Sequence, residues 1–181
     1  GVQTCALPIS TAIWWLLLRP RAILGAAERY RAFWNDVGRE FPDLGGAPST
    51  AMYRRNEQEL IARAVPALRG SRVLKTDLWD ESRNTRILQW TATQGADVYG
   101  IDISTPTVKS AREEFGSLPA HLTVADVRAV PFAPGSFDAI YSMGTVEHFP
   151  ETEAAVIGLA RLLKPGGVLI LGVPNRFEDR K

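Results

Sequence analysis

The chain has 181 residues, of which 45% are hydrophobic and 23% are charged, and this is enough for about one domain with a sizeable core. Lysine and arginine total 21 against 20 aspartate and glutamate, so the net charge of +1 gives no general attraction to nucleic acid or to an anionic membrane. A single cysteine excludes an internal disulfide and a structural zinc site, and it fits a reducing compartment such as the cytoplasm.

The two ends of the chain differ from the part between them. Residues 1–10 are predicted to be a non-native leader, because GVQTCALPI matches the translation of a common sequencing-library adapter; an ordinary disordered N-terminus is the alternative. Residues 12–18 (AIWWLLL) are too few to cross a bilayer, which needs about 20. We interpret them as part of a helix that packs on the main domain, with the tail of a truncated spanning helix as the alternative. At the other end, we expect truncation after a fifth strand.

Residues 11–69 are predicted to form a helical extension. Residues 22–41 carry apolar side chains at spacings of three and four, which is typical of one face of an amphipathic helix: Ile23, Ala27, Tyr30, Phe33, Trp34, Val37 and Phe41. A break rich in proline and glycine follows at residues 42–50. A second helix is predicted from Ser49 or Thr50 to about Leu68, ended by Gly70.

From residue 70 to the end, strand patterns alternate with helical ones. The predicted strands are 72–74, 97–103, 122–124, 137–142 and 168–173. The predicted helices are 82–94, 108–115 and 151–163, and Pro165–Gly167 reads as a turn. This alternation predicts an α/β fold, a Rossmann-like, doubly wound and mostly parallel sheet covered on both faces.

Polar residues follow three of the predicted strands, at the edge where an open α/β sheet binds ligands. Asp102 ends the second strand, and its carboxylate can accept both hydroxyls of a ribose. Asp126 lies just past the third strand, where it can accept from an exocyclic amine. The fourth strand leads into Ser142, Met143 and Gly144, and His148 follows at the same rim.

These segments resemble the successive motifs of class I S-adenosylmethionine (SAM)-dependent methyltransferases, of the type 11-like group. The motifs are ADVYGIDIS, TVADVRAVPFAPGSFDAIYSMGTVEHF and ARLLKPGGVLILGVPN, and the resemblance covers about residues 70–175. It implies a SAM cofactor and a methyl acceptor that is a small molecule or lipid-like.

The resemblance also implies roles for particular residues. Asp102, with Ile103 beside it, is expected to bind the ribose hydroxyls, and Asp126 with the Val127 backbone is expected to bind the adenine edge. The segment from Ser142 through Met143 to Gly144 is expected to border the methionine half of the cofactor. These remain expectations drawn from the family.

One segment departs from the family pattern. The first strand of the family opens into an acidic residue and a glycine-rich loop, whereas residues 73–84 (VLKTDLWDESRN) contain no glycine. Asp77, Asp80 and Glu81 disfavour a dinucleotide pyrophosphate but are compatible with the cationic sulfonium and amino groups of SAM. We hypothesise that Asp77 holds the amino group or faces the sulfonium. Asp80 and Glu81 are interpreted as solvent-facing residues at a helix N-terminus.

His148 is a candidate general base, because imidazole titrates near neutrality. A structural role at the rim is the alternative, since methyl transfer can depend on proximity and orientation alone. Glu147 is a candidate for orienting His148. His121, at the start of the third strand, is interpreted as structural.

The sequence therefore predicts a SAM-dependent methyltransferase with a small-molecule substrate. The alternative is a degenerate, non-catalytic binding or scaffold domain, which the glycine-free loop favours. We expect no nucleic-acid partner and no metal, because the acidic residues lie on separate loops with nothing to fix octahedral geometry. Membrane association would rest on residues 12–18 alone, the predicted location is the cytoplasm, and the oligomeric state is left open.

Overall fold

The computed structural model describes residues 25–174, which form a five-stranded sheet with helices on both faces. The strand order is β3-β2-β1-β4-β5, and every neighbouring pair is parallel. The strands are β1 (Arg72–Lys75), β2 (Asp97–Asp102), β3 (His121–Val124), β4 (Phe137–Met143) and β5 (Leu163–Gly172). The order reverses on the two sides of β1, so the predicted doubly wound α/β fold is confirmed.

Six α-helices accompany the sheet within the described residues. Two precede it, α1 (Ala26–Glu40) and α2 (Pro48–Ala64), and both were predicted as the helical extension. Four connect the strands: α3 (Trp79–Arg83), α4 (Ile87–Thr93), α5 (Thr105–Phe115) and α6 (Thr152–Leu162). The leader at residues 1–10 and the apolar run at 12–18 lie outside the described residues.

Two predicted helices have different bounds in the structure. The helix expected to reach Leu68 ends at Ala64, because Pro66 disfavours helical geometry at Val65, whose φ of −126° and ψ of 79° are not helical. The helix expected over residues 82–94 is two helices, α3 and α4. They are separated at Arg86, whose φ of 53° is left-handed.

The predicted turn at Pro165–Gly167 falls within the bounds of β5, where it interrupts the pairing: Phe137 pairs with Leu163 and Ala139 with Val168, so residues 164–167 stand opposite a single residue of β4. Gly166 has φ 80°, and the pairing of β4 with β5 is irregular between Phe137 and Ala139. This irregularity lets the strand continue past residues that would otherwise end it.

The sheet separates two apolar layers. Along β1 the side chains alternate, so Val73 packs with Val108 and Phe115 of α5, whereas Leu74 packs on the other side with Leu159 of α6. These residues are nearly or fully inaccessible to solvent. Burial on both faces fixes β1 as the central strand.

Helix α1 is fastened over the carboxyl ends of the strands by close contacts with α5. Gly38 packs directly on the start of α5, where an added Cβ would lie 2.5 Å from Ser104 Oγ and still closer to Thr107 Oγ1. Asn35 Oδ1 accepts from the Thr105 amide at 2.9 Å. Arg83 of α3 donates to the carbonyl of Phe41, just after α1. These contacts place the aromatic face of α1 above the sheet edge.

Within residues 25–174 we find no helix with the length and apolarity that a membrane span requires.

The glycine contact predicts a stability difference between two substitutions in helices. Gly38→Ala should lower the free energy of unfolding by about 1–3 kcal/mol, because the short, buried side chains of Ser104 and Thr107 must move. Gly158→Ala is the matched control, since nothing lies within 4 Å of its added Cβ. It should raise stability by about 0.5–1 kcal/mol through helix propensity. Urea denaturation of both variants checks this, and equal effects would contradict the close packing of Gly38.

Candidate active site

A cavity of about 510 Å³ lies between α1 and the carboxyl ends of β1, β2 and β4. This volume is in the range of small-molecule sites in proteins. One wall is aromatic and comes from the extension, including Tyr30, Phe33 and Trp34. The opposite wall comes from the loops after the strands and carries carboxylates. The cavity therefore has a polar side and an apolar side.

Asp102 ties two of these loops together. Its Oδ2 accepts from the Leu78 amide at 3.0 Å, and its Oδ1 accepts from the Ser104 amide at 2.8 Å. Burial raises the pKa of Asp102 to about 7, against the opposing effect of these two hydrogen bonds. The residue lines the cavity, as does Ile103. A ligand hydroxyl that donates to this carboxylate would favour its ionised form.

Asp126 is held by a neighbouring arginine. Arg128 donates from Nε to both carboxylate oxygens, at 2.9 and 3.1 Å, and from an Nη to Oδ2 at 2.6 Å. Burial acts to raise the pKa of Asp126, but the hydrogen bonds from Arg128 lower it below its ordinary value. Arg128 also lies 4.7 Å from the ring centre of Tyr30, which connects this loop to α1. Asp126 and Val127 both line the cavity.

The end of β4 supplies three of the predicted residues, in different positions. Met143 and Gly144 line the cavity, and Gly144 turns with φ 65°. Ser142 is fully buried behind this wall, where its hydroxyl accepts from Thr76 Oγ1 at 2.8 Å. Its side chain thus supports the loop after β1.

His148 lies at the rim, as predicted, and its imidazole is exposed. It contacts Trp34 of α1 edge to face, with ring centres 4.8 Å apart. His121 lies at the amino end of β3, stacked on Tyr99 at 4.5 Å, with its Nε2 3.3 Å from Asp97. The structure therefore places the two histidines at opposite ends of the sheet.

The loop after β1 is organised by Lys75, which the sequence analysis did not single out. The Lys75 side chain is completely buried at the end of the central strand. Its Nζ donates to the Asp77 carbonyl at 2.8 Å and to Asp77 Oδ2 at 2.7 Å, and it lies 3.4 Å from Asp80 Oδ2. Burial acts to lower its pKa, but the surrounding carboxylates raise the pKa of Lys75 well above its ordinary value. Lys75 is therefore an ammonium.

This ion cluster corrects the interpretation of Asp80 and Glu81 as solvent-facing. Glu81 is fully buried, and its two oxygens accept from the amides of Leu88 at 2.9 Å and Gln89 at 3.1 Å, which begin α4. Asp80 accepts from Asn84 Nδ2 at 2.7 Å in addition to Lys75. Both carboxylates hold the backbone between α3 and α4.

The same cluster explains how the loop dispenses with glycine. Among the described non-glycine residues, only Arg86 has a positive φ, so residues 76–80 need no left-handed conformation. Asp77, predicted to face a cation of the ligand, lines the cavity but already has Lys75 on its Oδ2. Its role toward a ligand stays a prediction.

Sequence reasoning missed a further carboxylate, Glu57, which α2 contributes to the cavity wall. Burial raises its pKa to about 7, and the nearby charge of Asp80 adds to this effect. Glu57 belongs to a strongly polar helix, and no motif distinguishes it from the other acidic residues there. Only the three-dimensional arrangement brings it to the site.

Comparison with known proteins identifies the class. A family model described as a methyltransferase domain matches residues 81–171, which is 91 of the 181 residues. The chain belongs to this methyltransferase domain family, so the family predicted from the motifs is confirmed, and with it SAM as the cofactor.

Two curated relatives and one solved structure illustrate the similarity. The 2-methyl-6-phytyl-1,4-hydroquinone methyltransferase of Synechocystis sp. is 36% identical over 88 residues, 48% of this chain and 28% of that protein. The malonyl-[acyl-carrier protein] O-methyltransferase of Enterobacter lignolyticus is 32% identical over 65% of this chain and 44% of its own. The PH0226 protein of Pyrococcus horikoshii, at 24% identity, shares the fold with a TM-score of 0.60, over 75% of this chain and 64% of that one. The chain spans less than half the length of these two curated relatives.

The residues of the cavity fit SAM in charge. The carboxylates of Glu57, Asp77, Asp80 and Asp102 line it, whereas the nearby ammonium of Lys75 is completely buried. These groups suit a ligand with a sulfonium and an amino group, because a bound cation favours the ionised form of each carboxyl, and they are unfavourable for a pyrophosphate. The aromatic wall suits the apolar surface of a nucleoside or an acceptor.

The buried carboxyl groups predict how stability depends on pH. Burial raises the pKa of Glu57, Glu81 and Asp102 to about 7, whereas unfolded carboxyls titrate near pH 4. Between about pH 4 and 7 the folded protein keeps protons that the unfolded chain has released. The free energy of unfolding should therefore fall as the pH rises through this window, by up to about 1.4 kcal/mol per pH unit for each group, and level off above it.

Urea denaturation between pH 5 and 8, without ligand, measures this dependence. Glu81→Gln should reduce the slope, because it removes one of the three groups. A free energy of unfolding that is constant or increases from pH 5 to 7 would contradict the assignment.

Proposed function

We propose that this chain carries the cofactor site of a SAM-dependent methyltransferase and that its acceptor is a small, largely apolar molecule. The observation that carries the proposal is the cavity itself, in which carboxylates at the strand ends face an aromatic wall from the extension. Family membership supports the reaction, and the two-sided cavity supports the pairing of a cationic nucleoside with an apolar partner.

The cofactor-binding roles follow from the positions of the carboxylates. Asp102 would accept the ribose hydroxyls, and Asp126 with Val127 would contact the adenine edge. Asp77 would face the cationic part of the cofactor, with Met143 and Gly144 bordering it. When bound, SAM supplies an electrophilic methyl group. The chain's own contribution is to hold the reactants in orientation and to exclude water.

The acceptor would lie against the aromatic side chains of α1. Negative charge around the cavity disfavours an anionic acceptor. The relative named for 2-methyl-6-phytyl-1,4-hydroquinone supports an acceptor with an apolar body. His148, at the rim beside Trp34, would take the proton from an acceptor hydroxyl.

A non-catalytic binding domain was favoured only by the absence of glycine after the first strand. Lys75 orders that loop by direct hydrogen bonds, so the missing glycines do not by themselves indicate a degenerate site. Accordingly, the methyltransferase is the single function that we propose.

Cofactor binding can be tested with the two aspartates at the ends of β2. Asp102→Asn should weaken the binding of SAM and of its demethylated product by about 10- to 100-fold, because hydrogen bonds to an ionised carboxylate are lost. Asp97→Asn, at the amino end of the same strand, is the matched control and should leave binding unchanged. Titration calorimetry gives both affinities. Equal affinity of the Asp102 variant and the wild type would contradict the ribose role.

The proton-acceptor role can be tested with the two histidines. His148→Gln should lower the rate of methyl transfer to hydroxylated aromatic acceptors by about 100-fold with little change in SAM affinity. His121→Gln is the control and should retain the wild-type rate, because His121 lies at the other end of the sheet. Transfer of labelled methyl from SAM to a panel of phenols and hydroquinones provides the measurement. Unchanged transfer by the His148 variant would assign that residue to structure alone.

A further inference from the structure

Glu57 differs from the other carboxylates at the polar end of the cavity. Its Oε2 accepts from Thr85 Oγ1 at 2.9 Å, and within residues 25–174 no basic side chain forms an ion pair with it. Asp77 and Asp80, by contrast, share the ammonium of Lys75, at 2.7 and 3.4 Å. Among the described residues Glu57 therefore has no cation within ion-pair distance, and it differs from Asp102, whose two oxygens accept from the Leu78 and Ser104 amides.

The position of Glu57 is fixed by a row of bonds along one face of α2. Thr50 Oγ1 donates to Asn84 Oδ1 at 2.8 Å, and Arg54 Nε donates to the Thr85 carbonyl at 2.7 Å. Together with the bond from Thr85, these contacts attach α2 to the segment that follows α3. The residues of α2 that make them, Thr50, Arg54 and Glu57, are four and three positions apart and therefore share one face of the helix. The extension thus presents Glu57 to the cavity in a set orientation.

A buried hydroxyl near Glu57 lacks a hydrogen-bond partner within the described residues. The Tyr141 side chain is 2% exposed, and its hydroxyl has no hydrogen bond within the described residues. Burial and the nearby negative charge of Glu57 raise the pKa of Tyr141, so the hydroxyl keeps its proton. Buried hydroxyls are normally paired, so this one is an unused donor close to the carboxylates, although Tyr141 itself does not line the cavity.

We propose that Glu57 binds the amino group of the cofactor, so that the helical extension supplies part of the cofactor site. This inference rests on the proposed function and assigns the amino end to a residue outside the segment that matches the family model. Lys75 neutralises part of the charge of Asp77 and Asp80, whereas Glu57 has no such partner in the described part of the chain, and a ligand ammonium beside it would favour its ionised form. The surrounding charged groups are Asp77, Asp80 and Lys75.

The test compares ligands with and without the amino-acid end. Glu57→Gln preserves the shape of the side chain and an oxygen that can accept from Thr85. It should weaken the binding of SAM and S-adenosylhomocysteine by about 10- to 100-fold, the range of a hydrogen bond to a charged group. Binding of 5′-methylthioadenosine, which lacks the amino-acid end, should stay within about twofold of wild type. Glu59→Gln, exposed on the same helix, is the matched control and should change neither affinity.

A second variant separates binding from structure. Thr85→Val removes the hydrogen bond to Glu57 but keeps the carboxylate, so the ratio of the SAM and methylthioadenosine affinities should stay within about threefold of wild type. If Glu57 were only structural, Thr85→Val and Glu57→Gln would have equal effects on both ligands.

The outcomes distinguish this inference from the proposed function. If the wild type binds both ligands and Glu57→Gln weakens both equally, or weakens neither, the role of Glu57 is overturned and the cofactor site stands. If the wild type binds neither ligand, the proposed function and this inference fail together. A selective loss of affinity for the ligands that carry the amino-acid end supports the role.

Discussion

The buried ammonium of Lys75, surrounded by carboxylates, is the interaction on which the site depends. Removing a charge from water costs several kcal/mol, of order 5 for an amine in a protein interior, unless partners compensate it. Here Asp77 provides a carbonyl and a carboxylate, and Asp80 and Glu81 add negative charge at 3.4 and 4.0 Å. Because the ammonium lies at the end of β1, it orders the loop that follows β1. This loop contacts the ends of both neighbouring strands, β2 and β4.

The effects of this cluster extend in three directions. Leu78 donates to Asp102, which couples the loop to β2, and Thr76 donates to Ser142, which couples it to β4. Glu81 accepts from the first amides of α4 and thereby starts that helix. The ion cluster therefore orders the loop after β1, which is glycine-rich in the family pattern. It also leaves more carboxylates than cations beside the cavity.

Much of the fold and part of the site follow from local sequence patterns. The alternation of strands and helices predicts the sheet, and the strand ends bring Asp102, Asp126, Gly144 and His148 to one cavity because parallel strands end at the same edge. The roles of Lys75 and Glu57 could not be predicted in this way. The role of Lys75 depends on the three carboxylates that surround it in the folded protein, and Glu57 comes from a helix with no motif. Such contacts depend on packing between distant segments.

We infer that the cavity between α1 and the strand ends binds the cofactor, with its nucleoside against Asp102 and Asp126 and its amino end between Asp77 and Glu57. A crystal structure of the chain with S-adenosylhomocysteine would locate the ligand. We expect the ribose oxygens within hydrogen-bond distance of Asp102 and the α-amino nitrogen of the ligand within hydrogen-bond distance of Glu57. Density for the ligand elsewhere on the protein, with the Asp102 carboxylate bonded only to Leu78 and Ser104, would contradict it.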